Sequence, residues 1–196
     1  LFVYVITVYK QSNLTSTNYL FKISYRLRRE TKMNEYKRHE QFTKNVIGWA
    51  EARKLIPNST PFAQAGKTLE EVAELWQAKV KADKSEIKDA IGDIAVTLII
   101  GNYLHWTGIN APFDDETNEF KYLYTQDPTS SGEYFREGIQ QILDHTIKNE
   151  HQHAYRSLVR LCKGQRLDFN ECCELAWDEI KDRKGEMKAD GVFYKE

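Results

Sequence analysis

The stretch from Glu86 to about Trp106 constrains the fold most. It is helical in pattern, acidic at its start and almost wholly apolar from Ile94 to Ile100. A helix that is apolar on every side belongs in the centre of a bundle, where neighbouring helices cover each face. The flanking sequence supplies them. From Glu35 to Leu55, Phe42, Val46, Ile47, Trp49, Ala50 and Leu55 recur at roughly helical spacing, and Pro57 is expected to end that helix. Residues 58–61 read as a loop, with Ser59 or Thr60 as cap and Pro61 in the first turn of the next helix. That helix runs to about Ala82 through Ala65, Leu69, Val72, Ala73, Leu75, Trp76 and Val80. A polar connection, residues 81–85, leads back to the apolar helix, with Ser85 as its expected N-cap.

Beyond Gly108, residues 109–132 carry Pro112, Pro128 and several acids and read as a long loop. Helical pattern returns over Gly132–Lys148 and Ala154–Cys162, and Asp168 is expected to cap a last helix reaching about Lys184. Residues 185–196 read as an irregular tail. With neither an internal repeat nor βαβ alternation, the expected architecture is an all-α antiparallel helical bundle.

The net charge of −1 over 196 residues conceals an asymmetry. Residues 1–32 hold six basic residues against Glu30 alone, and the remainder therefore sums to −6. An acidic body is a poor surface for nucleic acid polymers and needs cations to hold any polyanion. The first methionine is Met33, directly before the helical pattern. The expected division is an N-terminal extension over 1–32 and a helical body over 33–196. The apolar run Leu1–Tyr9 is too short to span a bilayer and has no basic segment before it, so neither a signal peptide nor a membrane helix is expected. Three cysteines without a CxxC pair argue against a disulfide framework or structural zinc and point to a reducing, cytoplasmic compartment.

Carboxylates carry the chemistry. Glu71 and Glu74 share a helical face at i,i+3 beside Glu70, and Glu86, Asp89 and Asp93 form a stripe on the following helix. The short connection makes these helices antiparallel neighbours. Acids on adjoining faces repel unless a cation lies between them, and Mg²⁺ or Mn²⁺ is the natural choice for a set of carboxylate oxygens. A solvated acidic face is the alternative, and Asp93 is the residue that fits it worst: it abuts the apolar run, where a buried acid needs a partner. Gly92 beside it permits close approach of a backbone or a ligand.

Gln64-x-x-Lys67-x-x-Glu70-Glu71-x-x-Glu74, followed by Asp89-Ala-Ile-Gly-Asp93, resembles the MazG-like all-α nucleoside triphosphate pyrophosphohydrolases, whose signature is EExxE, a gap, then ExxD. The likeness extends to Trp49-Ala-Glu-Ala-Arg53 upstream and Asp182-Arg-Lys-Gly-Glu-Met187 downstream, and looks most like phage-encoded members. Two alignments of the second half exist. With Asp93 as the final Asp, the Glu position falls on Ala90 and Asp89 substitutes; otherwise Glu86-x-x-Asp89 is the literal motif. Asp93 is preferred because the apolar run follows it directly.

The resemblance implies hydrolysis of a (d)NTP to the (d)NMP and pyrophosphate, by water attack at the α-phosphorus with Mg²⁺ or Mn²⁺. It implies Glu71, Glu74, Asp89 and Asp93 as metal ligands and Glu70, with Glu71, as the group acting on the water. Lys67, Arg183 and Lys184 would offset the triphosphate charge, Trp49 and Arg53 would meet the base, and Gln64 and Asn102 would contact the substrate. Four of them have a plainer reading: Trp49 and Asn102 as bundle interior, Arg183 and Lys184 as cations at a helix C-terminus. The resemblance also implies a homo-oligomer, dimer or tetramer. An enzyme restricted to dUTP or dGTP and a non-catalytic helical interaction module are the competing functional readings.

Overall fold

The computed structural model describes residues 15–105, 132–187 and 193–195. Seven helices occur among them: α1 (Thr15–Ala52), α2 (Leu55–Asn58), α3 (Pro61–Lys81), α4 (Lys84–His105), α5 (Gly132–Ile147), α6 (His151–Gly164) and α7 (Phe169–Ile180). Two short strands follow, β1 (Gly185–Met187) and β2 (Phe193–Lys195), paired antiparallel with Glu186 opposite Tyr194. The tail expected to be irregular therefore holds a small ribbon. The expected loop over 109–132 lies outside the described residues, apart from Gly132 at the start of α5. None of the described helices is long and apolar enough to cross a membrane.

The chain divides into two compact units, Leu1–Arg38 and His39–Glu196. In the first, the described residues are helical and mostly exposed, with Arg26 Nε donating to Glu30 Oε1 at 2.8 Å one turn on. Helix α1 begins at Thr15 rather than near Glu35, because no proline or glycine interrupts the chain before Gly48. At its other end α1 stops before Pro57. Lys54 turns left-handed (φ 58°), and Pro57 sits in the first turn of α2, where its missing N–H is no loss.

The second unit is built on α4. Ile91, Ile94, Ala95, Leu98 and Ile99 are almost completely buried, as the apolar run requires. Helix α3 turns its own inner face, Ala65, Val72, Leu75 and Ala78, towards the core, and α6 contributes Tyr155, Leu158 and Leu161. Thr60 caps α3 by accepting from Ala63 N at 3.1 Å, and Asp168 caps α7 by accepting from Asn170 N at 2.8 Å. The cap of α4 is Asp83, not Ser85. Its Oδ1 accepts from Ser85 N and Glu86 N, two donors that α4 itself cannot satisfy.

The close approach that Gly92 allows is to the backbone of α7. A Cβ at this position would lie 2.4 Å from the Cys172 carbonyl oxygen and 2.6 Å from Ala176 Cβ. Helix α7 thus packs onto α4 immediately beside Asp93. The three cysteines are free and buried.

Candidate functional site

Helices α3 and α4 form an antiparallel pair joined by two residues, Ala82 and Asp83. Their register is read from one contact: Thr68 Oγ1 donates to Thr97 Oγ1 at 2.9 Å. Moving four residues along each helix in opposite directions sets Asp93 level with Val72, between Glu71 and Glu74. A further turn sets Asp89 level with Trp76, past the last of the α3 acids. Glu74 itself is level with Ile91, midway between Asp93 and Asp89, so the register leaves both acids of α4 within one turn of an α3 acid.

Glu70, Glu71, Glu74 and Asp93 line one groove of about 290 Å³. Lys67, Gln64, Thr97 and Arg183 line it too, and Trp49, Leu55, Ala63, Val96, Ile100 and Ile180 give it an apolar wall. Five elements or their flanks contribute, all within the second unit. Asp89 is half-buried on α4 and is not among the lining residues. Glu86 is exposed and paired with Lys81 at 2.9 Å. Asn102 is buried within the bundle and Lys184 is exposed, both outside the groove wall.

Four carboxylates face two cations in this groove, an excess of two negative charges. One cation is already engaged, since Lys67 Nζ is ion-paired with Glu70 at the exposed rim. Arg183 reaches Glu179 only at 3.7 Å. Glu71 carries the strain. Burial first, then the charges of Asp93 and Glu74, push its carboxyl up to about 7, against the opposing pull of Lys67.

Arg53 is outside the wall but sets part of it. Its Nε donates to Arg183 O at 2.8 Å and its Nη2 to Lys181 O at 3.1 Å, capping the carbonyl end of α7. Its guanidinium lies over the Trp49 ring at 4.8 Å. One arginine thus ties the end of α1 to the segment that presents Arg183. Gln64 is similarly committed, donating to Ser59 Oγ at 3.0 Å.

Thr97 escaped the reading of the sequence. It is the single hydroxyl in the run Ile94–Ile100 and stands one helical turn after Asp93. That pair of facts was available as a signal. Among the described residues, no three acidic, His or Cys side chains are gathered as tightly as a preformed metal cage requires.

No known protein family matches the chain, and no solved structure matches it. It is similar to the uncharacterized 18.2 kDa protein of the rep–hol intergenic region of Haemophilus phage HP1, with 43% identity over 61 residues. That alignment takes in 31% of this chain and 37% of the phage protein, well under two thirds of either.

Proposed function

We propose that this protein is a divalent-metal-dependent nucleoside triphosphate pyrophosphohydrolase of the MazG-like kind, converting a (d)NTP to the (d)NMP and pyrophosphate. The observation that carries the reading is the convergence of Glu70, Glu71, Glu74 and Asp93 on one groove with Lys67 and Arg183 at its edges. The resemblance in motif order agrees with it.

The groove fits a hard divalent cation in kind and in charge. Its anionic donors are four carboxylates, and its formal excess of two negative charges matches Mg²⁺ or Mn²⁺. Mg²⁺ takes one or two carboxylates and fills its shell with water and substrate phosphates, so it needs no closed cage of side chains. Glu71, Glu74 and Asp93 would hold the metal. When bound, it supplies Lewis acidity that lowers the pKa of water and neutralises the leaving pyrophosphate.

The side chains of the chain do the rest. Glu70 stands at the rim, where it can orient the attacking water or accept its proton. Lys67 and Arg183 offset phosphate charge. The wall formed by Trp49, Leu55 and Ile100 offers an apolar surface to the base. The test is pyrophosphate release from a panel of ribo- and deoxyribonucleoside triphosphates with Mg²⁺, Mn²⁺ or a chelator. Metal-dependent release that is lost in Glu71→Gln supports the assignment. A folded protein releasing no pyrophosphate from any of them refutes it and favours the interaction-module reading.

A further inference from the structure

Helices α5 and α6 form an antiparallel hairpin joined by residues 148–150, with Asn149 in the left-handed conformation (φ 58°). Contacts across the hairpin keep one register. A Cβ on Gly138 would meet the Leu161 side chain, and Ser157 Oγ donates to Gln141 Oε1 at 3.3 Å. One turn nearer the connection, the same register brings His145 of α5 against His153 of α6. Their rings stack with centroids 5.2 Å apart and planes inclined by 28°. His145 is half-buried and His153 exposed, and neither lines the acidic groove.

Glu150 sets this pair apart from two solvated rings. It occupies the N-cap of α6, where a carboxylate ordinarily accepts from backbone N–H groups of the first turn, yet its side chain caps nothing. It turns back to His145 instead, and His145 Nδ1 and Glu150 Oε2 lie 2.6 Å apart. That hydrogen bond is the first cause holding the Glu150 carboxyl below its ordinary value, so the group is ionised at neutral pH. An ionised carboxylate can only accept. His145 Nδ1 therefore carries the proton, and Nε2 of the neutral ring keeps its lone pair. A carboxylate on the far nitrogen is the arrangement that orients metal-bound histidines and raises their basicity.

We infer that His145 and His153 bind a divalent transition-metal ion of the Zn²⁺ class, with Glu150 orienting the ring of His145. Imidazole nitrogen suits zinc, nickel and copper, whereas the carboxylates of the groove suit Mg²⁺, so the two sites take different ions. The imidazoles supply two ligands and water fills the remaining positions. Because the ligands stand on different helices, the ion fastens α5 to α6 at their connected ends. The site is independent of the groove and of the reaction proposed for it.

The test is Zn²⁺ titration of the full chain, followed by calorimetry and by ¹⁵N NMR of the imidazoles. Millimolar Mg²⁺ is kept present to occupy the groove carboxylates, and the cysteines are buried. One equivalent of Zn²⁺ should bind at micromolar concentration. The ¹⁵N signal of His145 Nε2 should shift while its Nδ1 stays protonated. His145→Ala and His153→Ala should each remove that equivalent, and Glu150→Ala should weaken it by about 10–100-fold. Zn²⁺ should raise the melt of wild type and of Asp93→Asn, but not that of His145→Ala or His153→Ala. Metal-free melts matching wild type establish that the variants fold, and the NMR readout on the unaltered chain decides the matter whatever their stability. An absence of binding, an equivalent retained in either histidine variant, an affinity indifferent to Glu150→Ala, or coordination through His145 Nδ1 overturns the inference.

Discussion

Replacing Gly92 with alanine tests the packing on which the groove rests. The added methyl would lie 2.4 Å from the Cys172 carbonyl oxygen, whereas carbon and oxygen in ordinary contact need about 3.3 Å. Helices α4 and α7 would have to part by roughly 1 Å, and backbone cannot swing aside as a flexible side chain does. Overpacking of this kind costs about 1–3 kcal/mol, and a clash with backbone belongs at the upper end. Alanine recovers about 1 kcal/mol of helix propensity. The net is a loss of about 2 kcal/mol, or roughly 4–8 °C in Tm for a domain of this size. Gly48 is the control, since it also lies inside a helix and a Cβ there meets nothing within 4 Å. Gly48→Ala should therefore gain about 1 kcal/mol from the same propensity term. Urea and thermal unfolding of both variants read the two signs directly. A Gly92→Ala protein as stable as wild type would refute the close crossing of α4 and α7. Because Gly92 precedes Asp93, the variant should also lose turnover in the pyrophosphate assay.

Asp93→Asn keeps the shape of the side chain and removes a charge; it should abolish pyrophosphate release without unfolding the protein. The gain in Tm on adding Mg²⁺ or Mn²⁺, which metal binding to the native state produces by mass action, should largely vanish with it. Glu71 gives a pH signature in the absence of metal. Its folded-state pKa of about 7 lies above the ordinary 4.5, so the stability it contributes is complete below pH 4.5 and lost as pH rises through 7. Comparison of Glu71→Gln with wild type across that window should show the difference growing with pH and shrinking when divalent metal is present. His39 acts in the opposite sense. Burial holds its pKa down at about 3, so its contribution is complete above pH 6.5 and lost as pH falls from there towards 3. Stability should decline over that range with a slope approaching about 1.4 kcal/mol per pH unit for this one group. A flat profile between pH 6 and 4 would place a charged imidazole in the cluster of Phe42, Tyr155 and Phe169.

Periodicity alone made the central elements legible. The uninterrupted apolar run named α4 as the buried helix, and i,i+3 spacing placed Glu71 and Glu74 together. Caps with one polar candidate, such as Asp168, were read correctly. Elsewhere the decisive facts were tertiary. Nothing local to α4 separates Asp89 from Asp93 as a neighbour of the α3 acids; the shape of the groove does, taking Asp93 into its lining and leaving Asp89 outside it. Arg53 reads as a possible base-binding residue until the end of α7 arrives beside it from 130 positions away. The choice of Asp83 over Ser85 as cap turns on where the last turn of α3 releases the chain. The ribbon of β1 and β2 escaped because three-residue strands carry too little alternation to stand out.

The placement of the acids sets the most apolar of the described helices next to an acidic groove. Carboxylates on flexible, solvated segments would move apart and relax their repulsion. Here Asp93 is held by a helix whose neighbours Ile91, Ile94 and Ala95 are wholly buried, with α7 packed against Gly92 at its back. Glu71 and Glu74 are held in turn by Val72 and Leu75, buried between and beside them on α3. The helices that carry the acids cannot separate without unpacking the core, so burial first, and then the charges of Asp93 and Glu74, raise the affinity of Glu71 for a proton. At neutral pH a proton satisfies that demand only partly, because a pKa of about 7 leaves it half bound. On the proposed function, a divalent ion would satisfy it more fully and bring water and phosphate with it. The hydrophobic core thus shapes the groove indirectly: its packing holds together the two helices that carry four acidic residues.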